Sequence, residues 1–164
     1  MSVSLALNEL LDYSDYERAK WKTWVQAEPS RLNLPFQAGA RFPTVWSLIE
    51  HIFLVERRHL ARLEGGTPPE STGVTPGDWA GLFEYADLVR ADLRQYIAGL
   101  DDTEAATTFS FTIPMGTFTT SRRKLASHIL LHELRHWAQV AHAARAAAVE
   151  PPGDHDILFF PGIA

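Results

Sequence analysis

Apolar residues recur at helical intervals in four long stretches of this chain, and proline and glycine separate the stretches. Residues 5–27 carry Leu7, Leu10, Leu11, Tyr16, Trp21, Trp24 and Val25 at helical intervals, with Pro29 just beyond them. Residues 31–42 show no clear period and read as a crossing loop. Pro43, at a first-turn position, opens a second helix over 43–64, which Gly65-Gly66 closes. After a Pro/Ser/Thr/Gly-rich loop over 67–74, Thr75-Pro76-Gly77-Asp78 offers a cap, a first-turn proline and an acidic third residue for a helix running to about residue 100.

Residues 107–119 break the pattern: Phe109, Phe111, Ile113 and Phe118 surround Pro114-Met115-Gly116, which predicts a short hairpin or an extended lid. Thr120 or Ser121 then caps a fourth helix that continues through alanine-rich sequence to 149, where Pro151-Pro152 forbids it. The tail, 154–164, retains Ile157, Leu158, Phe159 and Phe160 and is expected to dock on the helices. Together these elements predict an all-α four-helix bundle with a crossing loop, a hairpin-like segment before helix four and a docked C-terminal tail. One domain spanning 1–164 is expected, since 164 residues at 46% hydrophobic content suit a single core.

Composition narrows the chemistry. There is no cysteine, so any metal must be held by His, Asp or Glu. The 15 basic residues are scattered among 20 acidic ones, for a net charge of −5, and no basic face is predicted to bind nucleic acid directly. No stretch approaches the roughly 20 apolar residues of a membrane span, and Met1 to Leu11 has no basic segment before an apolar run; a cytoplasmic protein without membrane contact is expected.

His132, Glu133 and His136 spell H-E-x-x-H within the fourth helix, and His128 stands one turn earlier. A helix advances about 100° per residue, so positions i and i+4 project from nearly the same side, about 6 Å apart along the axis, and two imidazoles can grip one cation. His128 and His136 are about 12 Å apart along that axis and cannot share an ion, which leaves either His128/His132 or His132/His136 as the pair. His51 lies on an apolar stripe of helix two with Leu48 and Val55, facing inward. Bundles build metal sites from facing helices, so His51 with a helix-four pair makes a three-histidine face with open positions for water or substrate. His59, His142 and His155 read as non-ligands. Glu133 lies about 80° from the middle of the His132/His136 face. It is the weak catalytic candidate, within reach of a metal-bound water, or else an outward glutamate paired with Arg135 or a neighbouring helix; Glu50 shares that ambiguity.

The same motif admits a zinc protease. His132-Glu133-x-x-His136-x-x-Gln139-x-x-His142 resembles the longer metzincin signature, but Gln139 stands where a glycine would let the chain turn. Good helix-forming sequence follows, which points His142 away from the pair, and no methionine comes later to form a Met-turn.

Tyr13-Ser14-Asp15-Tyr16 to Trp21, Trp46 to Ile52, His132-Glu133-Leu134-Arg135-His136-Trp137-Ala138-Gln139 and the ending from Pro151 to Phe160 together resemble the DinB/YfiT-like superfamily of metal-dependent four-helix-bundle proteins. The resemblance implies that His51, His132 and His136 bind a divalent metal, zinc or nickel, and so decides against His128. Many members have His-Arg-Gly-Gln where this chain has His136-Trp137-Ala138-Gln139. Some relatives are thiol transferases or isomerases that use bacillithiol or mycothiol, which implies a low-molecular-weight thiol as cosubstrate and metal activation of its sulfur. The alternative is a stress-related binding module with a structural metal. Homodimers are common in the family, and five tryptophans in a small domain fit a helix-face dimer.

Overall fold

A computed structural model describes residues 5–36 and 40–163. Helix α1 is Leu7–Ala27, α2 is Val45–Leu63, α3 is Trp79–Ala98, α4 is a single turn at Asp102–Ala106, and α5 is Arg122–Ala146. Strands β1 (Thr108–Ile113) and β2 (Gly116–Ser121) form an antiparallel hairpin between α4 and α5. Short 3-10 turns occupy Pro29–Asn33 and Ile157–Phe159. The described residues are thus mostly helical with one two-stranded sheet. Of the four long helices, α1 and α2 each pack against both α3 and α5. None of the described helices is long and apolar enough to cross a membrane.

Caps set the helix starts and move two of them from where the proline positions place them. Thr44 accepts from the Ser47 backbone N–H at 3.3 Å, and Ser47 Oγ accepts in return from the Thr44 N–H at 3.1 Å. This reciprocal cap starts α2 at Val45, and Pro43 lies outside it, its carbonyl accepting from Phe36 N–H at 3.1 Å. Likewise Asp78, not Thr75, caps α3 by accepting from Gly81 N–H at 3.0 Å. Gly77, at φ +91°, places 75–77 in a turn that a helix cannot include. Ser121 caps α5 as expected, accepting from Lys124 N–H at 3.2 Å.

The C-terminus of α5 comes earlier than Pro151 requires. Ala148 takes the left-handed conformation at φ +57°, Val149 N–H reaches back to Ala144 O at 2.9 Å, and Ala148 N–H donates to Arg145 O at 3.0 Å. That is a Schellman end, and Val149 packs against the core beside it.

Two apolar clusters fill the interior. One gathers around Trp21, Phe53, Phe83 and Trp137, the other around Leu11, Leu60, Leu93 and Leu130. At the level where they meet, each long helix contributes a charged residue: Arg18 from α1, Glu56 from α2, Arg90 from α3 and Glu133 from α5, all buried. Arg18 Nε donates to Glu133 Oε1 at 2.8 Å and its Nη2 to Glu133 Oε2 at 2.9 Å; Arg90 Nε lies 3.0 Å from Glu56 Oε1. Arg18 also binds Glu56, and Arg90 also binds Glu133. Two cations therefore balance two anions in a layer that apolar surroundings would otherwise make prohibitive.

The tail docks at two points rather than along its apolar run. The His155 ring stacks on Trp21 at 5.0 Å between centroids, its Nδ1 meets Glu17 at 2.6 Å, and its carbonyl accepts from Tyr13 Oη at 2.7 Å. Phe160 packs against Tyr13 and Tyr16. Leu158 and Phe159, expected to dock, are 84% and 58% exposed. The 3-10 turn that Asp156 caps carries these two side chains outward.

Candidate metal centre

His132 and His136 project from one stripe of α5 with ring centroids 4.3 Å apart and their Nε2 atoms 3.0 Å from one another. His51 comes from α2, which lies along α5, and its ring stands 5.2 Å from that of His132 and 5.3 Å from that of His136. One ring nitrogen from each of the three lies within 4.8 Å of the others, and among the described residues this is the cluster with metal-ligand spacing. Two nitrogens at about 2.0–2.1 Å from a shared ion stand about 2.8–3.4 Å apart, depending on whether the bond angle is octahedral or tetrahedral. The His132/His136 spacing falls within that span.

The protonation of the rings agrees with this use. His136 Nδ1 meets Gln139 Oε1 at 2.5 Å. A carbonyl oxygen can only accept, so the Nδ1 carries the proton and Nε2 is left with a bare lone pair toward His132. Between two Nε2 atoms at this distance sits either one proton or one cation. Burial, with smaller contributions from His136, Arg41 and Arg58, pushes the His51 pKa down to about 4. Burial likewise drives His132 down to about 2, helped by His136 and His51. His136 is lowered by burial, against the opposing bond from Gln139. Neutral imidazoles are the form that ligates a metal. Phe42, from the crossing segment, covers His51 at 4.6 Å and His136 at 6.1 Å between centroids.

Glu133 is placed elsewhere. It is 1% exposed, and its two oxygens accept from Arg18, Arg90, Ser14 at 2.9 Å and Trp137 Nε1 at 3.0 Å. Burial alone would raise its carboxyl pKa; Arg18 and Arg90 overcome that and hold it down to about 2. Its lone pairs are committed to the core and none is left for a water at the histidines. Of the expected alternatives the pairing with neighbouring helices occurs, to Arg18 of α1 and Arg90 of α3, but inward rather than outward, and Arg135 takes no part. Glu50 accepts from Thr72 Oγ1 at 2.9 Å, tying α2 to the loop before α3.

The remaining histidines divide. His128 has its ring 5.5 Å from His132 and 5.2 Å from His59, so it extends the line of imidazoles without joining the cluster. His155 anchors the tail. His142 is exposed on an α5 that runs on unbroken to Ala146, so the turn that the longer protease signature needs is absent. Sequence reading missed Phe42 as a wall of the site and the whole Arg18/Glu56/Arg90 layer. One signal for the layer was there: Arg18 falls in the three-four rhythm of Leu11, Ser14, Trp21 and Val25, where an exposed arginine does not belong.

No curated protein matches the chain. The family model described as the DinB superfamily matches residues 23–140, which covers the last turn of α1, all of α2, α3 and α4, the hairpin and α5 as far as Val140. With all three clustered histidines and most of the chain inside that match, the protein belongs to the DinB superfamily.

Proposed function

We propose that this protein is a divalent-metal-dependent enzyme built on a four-helix bundle, with His51, His132 and His136 as ligands to zinc or nickel and a low-molecular-weight thiol as cosubstrate. The observation that carries the reading is the three-imidazole cluster bridging α2 and α5, with no fourth protein ligand among the described residues. A structural zinc is usually closed by a fourth side chain, whereas a catalytic one keeps a position open. When bound, such an ion lowers the pKa of a thiol that joins it and so supplies a nucleophilic sulfur at neutral pH.

The chain's own groups then have defined tasks. Gln139 fixes the tautomer of His136, which aims its Nε2 at the shared position. Arg41, Arg58 and Arg135 all act electrostatically on the cluster and give it a positive field that favours an anionic thiol. Glu133 is a positioning residue: its bonds to Arg18 and Arg90 fix the rotation of α5, and with it the direction of the neighbouring histidines. Reliance on a reduced thiol sets the reaction in a reducing compartment, and the cytoplasm is the one this reading favours. Homodimer formation stays part of the reading, without the tryptophan content as support. Trp21, Trp24 and Trp137 are buried in the chain's own core, and Trp46 and Trp79 pack against it.

Cobalt(II)-loaded protein titrated with cysteine tests the thiol step. The expected result is a thiolate-to-cobalt absorption band that saturates at one thiol per ion and is missing in His51→Ala. Stoichiometric cobalt without such a band supports instead a structural metal in a binding module, the competing reading.

A further inference from the structure

The α5 stripe that carries His136 and His132 continues toward the start of the helix through His128 and Lys124, each four residues from the next. Lys124 therefore stands about 12 Å along the axis from His132. Over this stretch the hairpin leans on α2 and α5: Phe111 lies 6.0 Å from the His59 ring, and the Arg62 guanidinium sits 4.9 Å over Phe111. Beneath it is a cavity of about 320 Å³, lined by Phe111, Ile113, Phe118 and Leu125, with His59 and His128 in its wall and Lys124 also on its lining. That volume is at the small end of the usual range for small-molecule sites, about 300–1,000 Å³.

We infer that this cavity holds the body of the substrate, a small aromatic or branched aliphatic acid lying along α5 with its acidic group on Lys124 and its far end toward His132. Three observations combine. The walls are mostly apolar, from Phe111, Ile113, Met115, Phe118 and Leu125, and suit a ring or branched chain. The Lys124 backbone N–H is bonded to the capping Ser121, and no hydrogen bond of its side chain occurs among the described residues. Among the described residues its ammonium enters no ion pair, which leaves it available to a carboxylate. Finally, His128 is both a wall of the cavity and a neighbour of His132 at 5.5 Å, so a molecule filling the space ends one ring from the cluster. The location of the cavity stands on its own residues; the statement that its occupant is a substrate rests on the metal-dependent reading above.

The test uses 2-naphthoate and its uncharged relative 2-naphthamide as probes of the full chain, first without metal. Backbone amide shifts are expected to map naphthoate to Phe111, Phe118, Lys124 and His128. Lys124→Glu should weaken naphthoate by about fivefold, the effect of losing one exposed ion pair, while changing naphthamide by less than about twofold. Lys124 is exposed, so the variant retains the fold. Shifts confined to other surfaces, equal weakening of both probes, or no binding at millimolar concentrations would overturn the assignment. In cobalt(II)-loaded protein the naphthoate protons farthest from the carboxylate should broaden most. Strongest broadening beside the carboxylate would mean that the acid goes to the ion instead, and would also overturn it. Failure of the protein to take up cobalt, with naphthoate still mapped under the hairpin, would count against the metal-dependent reading and leave the cavity assignment in place.

Discussion

Replacing Glu133 by glutamine removes one negative charge from a layer in which Glu56 and Glu133 together balance Arg18 and Arg90. An uncompensated guanidinium would then remain buried, at an expected cost of about 3–5 kcal/mol in urea unfolding. Ser14→Ala, which deletes a single hydrogen bond to the same carboxylate, should cost about 1 kcal/mol. Folded Ser14→Ala should keep its metal stoichiometry, because Ser14 does not touch the ion, whereas Glu133→Gln, which loosens the rotation of α5, should bind metal more weakly. Loss of metal from folded Ser14→Ala would contradict that separation. The sequence could not make this distinction. H-E-x-x-H joins His132 and Glu133 in one motif, yet adjacent helical residues point about 100° apart, and here that rotation places one at the histidine cluster and the other in the core.

At the scale of elements, helix identity was legible because long apolar stripes record burial; helix ends were not, because they depend on a few hydrogen bonds. Proline at 43 and 76 suggested starts that Thr44 and Asp78 set instead. The end of α5 offers a quantitative check. Ala148 holds a left-handed conformation that costs a residue with a β-carbon about 1 kcal/mol, so Ala148→Gly should stabilise the protein by somewhat less than that, given the greater freedom of glycine in the unfolded chain. Thermal unfolding measures it, and a destabilised variant would contradict the Schellman assignment. The hairpin was also legible, from aromatic residues around Pro114-Met115-Gly116 that could line a pocket, although the walls that α2 and α5 add to its cavity were not. The exposed turn over Ile157–Phe159 ran against the pattern altogether: apolar content predicted docking, and Phe160, His155 and the Asp154 carbonyl supply it.

Across the whole molecule, burial lowers the pKa values of His51, His59, His132 and His136, with His59 falling to about 3. The unfolded chain then takes up protons near the ordinary histidine value of 6.5 while the folded chain does not. Stability is fully present above that value and falls with pH through the folded values, His51 near 4 and His59 near 3. Glu17 and Glu133, both lowered, withdraw further stability below the ordinary carboxylate value of 4.5. Metal-free protein should therefore lose resistance to urea steadily as pH falls below about 6.5, before carboxylates titrate, and a midpoint flat from neutrality to about 5 would contradict the burial of these rings. Bound metal should steepen the loss, because protons compete for the same nitrogens.

All of this turns on whether α2 and α5 hold a common ion. The direct measurement is the metal content of protein purified without an affinity tag, offered zinc and nickel, in wild type and in His51→Ala and His136→Ala. Near-stoichiometric metal in wild type and its loss from both variants is the predicted result. Wild type without metal, or His51→Ala that retains it, would contradict a centre shared between the two helices.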